Sequence, residues 1–208
     1  MQASYYIFYT FPYMLSLGNY KLILASNSPR RKELLKGLGL DFEIRTLPDI
    51  DESYPAGLQG ADIPLYISRA KAEAYRTMMT EEELLLTADT IVWIDGEVLG
   101  KPTDEADAER MLHKLSGRTH QVYTGVCLTT TSKQQAFSCN TDVTFASLEK
   151  EEIEHYVRKF RPLDKAGSYG VQEWIGYIGC TGMQGSFYNV MGLPVQRLYA
   201  ELKSFMQK

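Results

Sequence analysis

The sequence predicts a mixed α/β fold, and three observations carry that prediction. A nearly unbroken apolar run at 84–94 (LLLTADTIVWI) has the character of a central strand covered on both faces. Helix-like and strand-like segments alternate from residue 21 onward, as they do when helices pack on a sheet. Asp95-Gly96 is a strong two-residue hairpin signal, and two long strand-like runs follow at 121–130 and 135–146, so the sheet is not purely parallel.

The elements follow in order. Residues 21–25 (KLILA) form a short first strand. Ser28 caps the next helix, Pro29 supplies its first residue, Leu34, Leu35 and Leu38 give it one apolar face, and Gly39 ends it. A second strand spans 42–47, and an acidic loop with Asp49, Asp51 and Glu52 comes after it. Asp62 caps a helix over 64–79 whose inner side holds Leu65, Ile67, Ala70 and Ala74. Beyond the hairpin, Thr103 opens a helix to 115 with acidic residues in its first turns. Ser147 caps a further helix over 148–159. The last third is glycine-rich, and Pro194 starts a closing helix that runs to about residue 205.

Composition narrows the function classes. With 208 residues, the chain can build one sizeable core or two small lobes sharing a cleft. A net charge of −4 argues against a nucleic-acid binder, but a local group of Arg and Lys can still hold an anionic small molecule. Cys127, Cys139 and Cys180 have no CxxC spacing and are expected as reduced cytoplasmic thiols, without disulfides or zinc. The aromatic stretch 1–17 lacks a basic region and a small-residue cleavage site and is shorter than the ~20 residues of a membrane span. Residues 1–20 are therefore expected to be an extension, with Met14 as a sensible alternative start, and 21–208 a single catalytic domain without a membrane partner.

Several residues could carry chemistry. Ser26, Asn27 and Ser28 lie where a strand turns into a helix N-terminus, and Arg30 and Arg31 add guanidinium forks suited to phosphate oxygens. There is no GxxxxGK[ST] loop. Asp89 sits inside the most apolar run, where a carboxylate is costly unless it is paired or binds a metal; it could hold a metal or take a proton from water. Lys71 lies mid-helix among small residues, and Lys101 sits in a bend between Gly100 and Pro102. Gln172 follows a glycine-bearing segment (AGSYGVQ), and its amide can read a base edge. The three histidines have no ligand-like spacing, and Trp93 and Trp174 are expected to pack.

Together these segments resemble the Maf family. The sequences 24–31 (LASNSPRR), Ala88-Asp89-Thr90, Gly100-Lys101-Pro102, Leu115-Ser116-Gly117, 164–167 (DKAG) and Gly192-Leu193-Pro194 stand in that family's order. The likeness covers residue 21 to the C-terminus; Asn27 departs from the family's usual small residue. The resemblance implies a nucleoside triphosphate pyrophosphatase with two lobes around a cleft, similar to inosine triphosphate pyrophosphatases, and a homodimer. It also implies a divalent metal (Mg²⁺, Mn²⁺ or Co²⁺) and a part in cell-division arrest or nucleotide-pool cleansing. Arg30, Thr90 and Gln172 match the dTTP/UTP group.

On this reading Ser26, Ser28, Arg31, Lys71 and Lys101 neutralise the triphosphate, which arrives with about four negative charges. Asp89 is the proton acceptor or a metal ligand, and Glu52 is the second metal ligand, since hard cations prefer oxygen. Two alternatives stay open: a nucleotide-binding regulator of septum formation without turnover, and a 7-methyl-GTP pyrophosphatase.

Overall fold

The computed structural model describes residues 15–207, so the expectations for residues 1–14 lie outside the described residues. Leu15, Leu17 and Tyr20 pack, partly buried, against a core cluster. The described elements are β1 (Lys21–Leu24), α1 (Pro29–Gly37), β2 (Phe42–Ile44), α2 (Asp62–Tyr75), β3 (Glu83–Ile94), β4 (Glu97–Leu99) and α3 (Glu105–Leu115). They continue with β5 (Thr119–Thr129), β6 (Gln134–Phe145), α4 (Lys150–Phe160), α5 (Trp174–Gly179), β7 (Cys180–Gln184), α6 (Phe187–Val190) and α7 (Val195–Gln207). The strands form one seven-stranded mixed sheet, ordered β2-β1-β3-β5-β6-β7, with β4 also paired to β3.

The apolar run at 84–94 is the central strand it was expected to be. Its side chains alternate between faces, as a pleated strand requires. Leu84, Leu86 and Ala88 enter a core shared with α1 and α7, while Val92 and Ile94 enter a second core shared with α3 and α4. The opposite face gives Leu85 and Ile91 to two smaller clusters under α2. One strand thus serves two lobes. The hairpin after it has Asp95 at φ 54° and Gly96 at φ 78°, the left-handed pair that such a turn needs.

The edge of β3 explains where the cleft opens. β1 runs parallel to β3 only as far as the Leu24–Leu86 pair, and β4 takes up pairing at Val92. Between these points that edge of β3 has no strand beside it, because the chain leaves β1 to start α1. Asp89 and Thr90 lie in this gap. On the other edge, Asp89 stands opposite Gly125 of β5. A Cβ at 125 would come within 2.2 Å of the Pro64 carbonyl oxygen, so the glycine lets α2 lie close against the sheet.

Some local expectations are corrected. β2 ends at Ile44, short of residue 47. Asp62 is the first residue of α2 and no side chain caps that helix; the buried face is Ile63, Pro64, Ile67, Ser68, Ala72 and Tyr75, so Leu65, Ala70 and Ala74 are not its centre. α3 is capped by Asp104, whose carboxylate accepts from Asp107 N–H, in place of Thr103. α4 is capped by Glu149, paired reciprocally with Glu152, in place of Ser147. The glycine-rich third holds α5, β7 and α6, which have too few residues for a periodic signal. The cysteines are free, and among the described residues no helix is long and apolar enough to cross a membrane.

Candidate active site

A cavity of about 930 Å³ lies along the gap in β3, within the size range of small-molecule sites. All ten residues singled out from the sequence line it: Ser26, Ser28, Arg30, Arg31, Glu52, Lys71, Asp89, Thr90, Lys101 and Gln172. They come from α1, α2, β3 and four loops, yet converge on one space.

At the start of α1, Ser28 caps the helix by accepting from Arg31 N–H at 3.4 Å, and Ser26 Oγ accepts from Ser28 N–H at 3.2 Å. Both hydroxyl protons stay available, and the helix end adds its partial positive charge. Arg31 is built into the fold. Its Nε donates to Gly192 O at 2.9 Å, Nη1 to Ala88 O at 2.9 Å and Nη2 to Thr90 Oγ1 at 3.1 Å. The guanidinium therefore fills the place where β3 lacks a neighbouring strand. Of its five N–H groups, two remain for a ligand. Burial pulls the Arg31 pKa down, and the Asp89 carboxylate counters part of that.

Asp89 is buried and faces α2, where its Oδ1 accepts from Lys71 Nζ at 2.8 Å. The same ammonium lies 2.9 Å from Glu52 Oε1. The two carboxylates expected to hold a metal are thus brought together, with the Lys71 ammonium between them. Lys71 was expected on the triphosphate; here its charge is taken up by Asp89 and Glu52. Desolvation pushes the Glu52 carboxyl up, but the Lys71 hydrogen bond and the charges of Lys71, Lys101 and Arg31 outweigh it and hold the pKa below its usual range. Lys101 sits exposed at the rim.

Thr90 points to the opposite face from Asp89. Its hydroxyl takes the Arg31 hydrogen bond and lies 2.9 Å from Thr124 Oγ1, which donates to Asn189 O at 3.1 Å. Expected at the base, the Thr90 hydroxyl is committed to holding Arg31. Arg30 reaches the other side of the mouth and donates to Asp164 Oδ2 at 2.8 Å. Gln172 lines the cavity as well, and its Oε1 is buried with no hydrogen-bond partner. A buried amide oxygen left unpaired is uncommon, and a ligand N–H would satisfy it.

Sequence reasoning assigned no role to several residues that the structure puts here. Lys165 and Tyr169 also line the cavity, and Tyr169 OH is 2.7 Å from Nε2 of the fully buried His120. Burial lowers the His120 pKa to about 4, so it is neutral at pH 7. Asp164 and Lys165 lay in a recognisable motif; Glu173 had only its place next to Gln172 as a signal. His113 and His155 are exposed on helices, while Trp93 and Trp174 pack against the cores, as expected.

Fold and site together define a mixed α/β protein whose cleft joins a serine-flanked helix N-terminus to a pair of carboxylates and an unpaired amide. Residues 21–205 match the model of the Maf-like protein family, and the chain belongs to that family. It is 64% identical over 188 residues to a dTTP/UTP pyrophosphatase of Bacteroides thetaiotaomicron, covering 90% of this chain and 97% of that protein. A dTTP/UTP pyrophosphatase of Flavobacterium psychrophilum is 50% identical over 184 residues, covering 88% of this chain and 94% of the relative. Among solved structures, a HAM1 protein from Coxiella burnetii is 17% identical with a TM-score of 0.47, covering 89% of this chain and 99% of that one.

Proposed function

We propose that this chain hydrolyses dTTP and UTP to the monophosphate and pyrophosphate, within one Maf-like domain over residues 21–208. The observation that carries the reading is the convergence, in one cavity, of the Ser26–Ser28 anion site, the Asp89–Glu52 carboxylate pair and the unpaired Gln172 oxygen. High identity to relatives bearing that activity in their names supports it.

The chemistry follows from charge and position, which dominate phosphoryl transfer. The α1 N-terminus, the Ser26 and Ser28 hydroxyls, the two free Arg31 N–H groups and Lys101 take the phosphate oxygens. Asp89 Oδ1 is engaged by Lys71, and Oδ2 accepts no hydrogen bond from any described residue, so it is the atom placed to take the proton of the attacking water. Lys71 holds Asp89 in its rotamer.

A divalent metal fits the donor set. Among the described residues there is no group of three His, Cys, Asp or Glu that could hold one. Glu52 and Asp89 instead offer hard oxygens beside the Lys71 ammonium, and they would hold an ion such as Mg²⁺ that binds one or two carboxylates plus substrate phosphates. Bound there, it would add charge neutralisation and acidify a ligated water. Gln172 accepts from N3–H of uracil or thymine and donates to a neighbouring carbonyl, a pairing that cytosine cannot offer. The proposed substrates are nucleoside triphosphates, which are held in the cytoplasm, and the enzyme is assigned there. The exposed aromatics Tyr177, Phe187 and Tyr188 support a homodimer.

The test is a nucleotide panel with Mg²⁺ and chromatographic identification of products. UTP and dTTP are expected to give monophosphate and pyrophosphate, with CTP, purines and 7-methyl-GTP poor. Gln172→Ala is expected to lower the UTP-over-CTP ratio of kcat/KM by about tenfold or more, since a site built to hydrogen-bond a base rejects mismatches through that bond. No turnover of UTP or dTTP by folded protein would overturn the reading.

A further inference from the structure

Arg30 and Gln172 belong to different elements, yet one run of charges leads from Arg30 to Glu173, the chain neighbour of Gln172. Arg30 holds Asp164 Oδ2 at 2.8 Å, and Asp164 Oδ1 accepts from Lys165 Nζ at 2.8 Å. The same ammonium lies 3.1 Å from Glu173 Oε1. Glu173 Oε2 accepts from the Tyr156 hydroxyl, whose oxygen accepts the Gly170 N–H at 3.0 Å. The signs alternate along the run from cation to anion, and every link is a hydrogen bond or ion pair.

The middle of this run is sheltered, with side-chain exposures of 9% for Lys165 and 21% for Glu173. Its fit is close. A Cβ on Gly170 would fall 2.8 Å from Glu173 Cδ, so only glycine lets that carboxylate lie against the backbone. A Cβ on Gly176 would fall 1.9 Å from Val171 O, so the next turn is pressed against the same loop. The backbone is thus clamped on both sides of Gln172, the residue whose amide oxygen is left unpaired.

We infer that Lys165 and Glu173 are positioning residues for base selection, holding the Gln172 amide and the Arg30 fork at a fixed spacing for one base. The inference rests on the substrate reading above and deepens it: a network that spans both ends of the base site makes the unpaired amide a rigid probe. Asp164 agrees, since Lys165 and Arg30 overcome its desolvation and draw its pKa down to about 2.

The experiment measures kcat and KM for UTP and CTP in four folded proteins: wild type, Glu173→Leu, Gln172→Ala and the double variant. Glu173→Leu is expected to lower the UTP-over-CTP ratio about tenfold, mainly through a higher KM for UTP, because the amide is misplaced while Asp89 is not. In the Gln172→Ala background the same change is expected to leave the ratio where it was, the signature of two residues acting as one. Glu173→Gln, which keeps an acceptor for Tyr156 but not the charge for Lys165, is expected to fall between wild type and Glu173→Leu. It carries the same test if the leucine variant fails to fold. An unmoved ratio in the single variant, or an equal drop in both backgrounds, would overturn the inference while leaving the substrate reading intact. A wild-type enzyme that does not prefer UTP to CTP would overturn both.

Discussion

The two ends of the cleft are built on opposite plans. At the reacting end, Asp89 and Thr90 are consecutive residues of the central strand, and Arg31 is bonded to a carbonyl of that strand. Position there is inherited from the sheet. At the base end, Gln172 stands on a loop between the 3-10 turn at 166–168 and α5, held by side chains of alternating charge. Position there depends on ionisation. The difference teaches that one cleft can hold one part through its sheet and another through a few ion pairs; on the proposed function, the first is the reacting centre and the second the selective one.

The largest expected effect breaks the reacting end. Asp89→Asn keeps the shape but removes the proposed proton acceptor, and turnover is expected to fall by roughly 10²–10⁴. The isolated buried carboxylate that the sequence suggested would leave such a variant as stable as the parent, or more so. The ion pair with Lys71 reverses that sign: a loss on the order of 2 kcal/mol is expected, softened because Glu52 still holds the ammonium. Steady-state kinetics and urea unfolding check both parts, and near wild-type turnover would sink the role.

Next comes the seal of the strand gap. Arg31→Met leaves Ala88 O, Gly192 O and the Thr90 hydroxyl without their donor, at a cost of about 3 kcal/mol in unfolding free energy. A variant as stable as wild type would show that the guanidinium does not close the gap.

The last effect concerns acid and grows only as pH falls. His120 is held below its ordinary range by burial, at about 4. The unfolded chain therefore binds the proton first, and stability falls as pH drops from about 6.5 toward 4, by up to about 3 kcal/mol. Asp164 acts lower down, losing its contribution as pH falls from near 4 toward 2. Melting temperature measured against pH is expected to be flatter between 6.5 and 4 in His120→Gln; an unchanged slope would remove His120 from this account.

Much of this was legible in the chain because it is local. The capping of α1 by Ser28, the hairpin at Asp95-Gly96 and the two-sided burial of β3 follow from residue type and period. The candidate residues were legible too, each being chemically out of keeping with its neighbours or part of a motif. What misled was equally local: Ser147 is a good cap by type, but Glu149 and Glu152 make a reciprocal pair that does better. The short elements in the glycine-rich third fall below the length at which a period can be read.

The sequence by itself determined the mixed α/β class, the family motifs and the cast of the site. Only the tertiary structure decided what each charge does. It pairs Lys71 with two carboxylates, Thr90 with Arg31, and Glu173, the neighbour of Gln172, with Lys165. The reason is physical: a side chain's role is set by its nearest opposite charge or open acceptor, and those partners lie 18, 19, 59 and 8 positions away along the chain for Lys71–Asp89, Lys71–Glu52, Arg31–Thr90 and Lys165–Glu173. Spacing along a sequence carries no record of such distances; packing creates them.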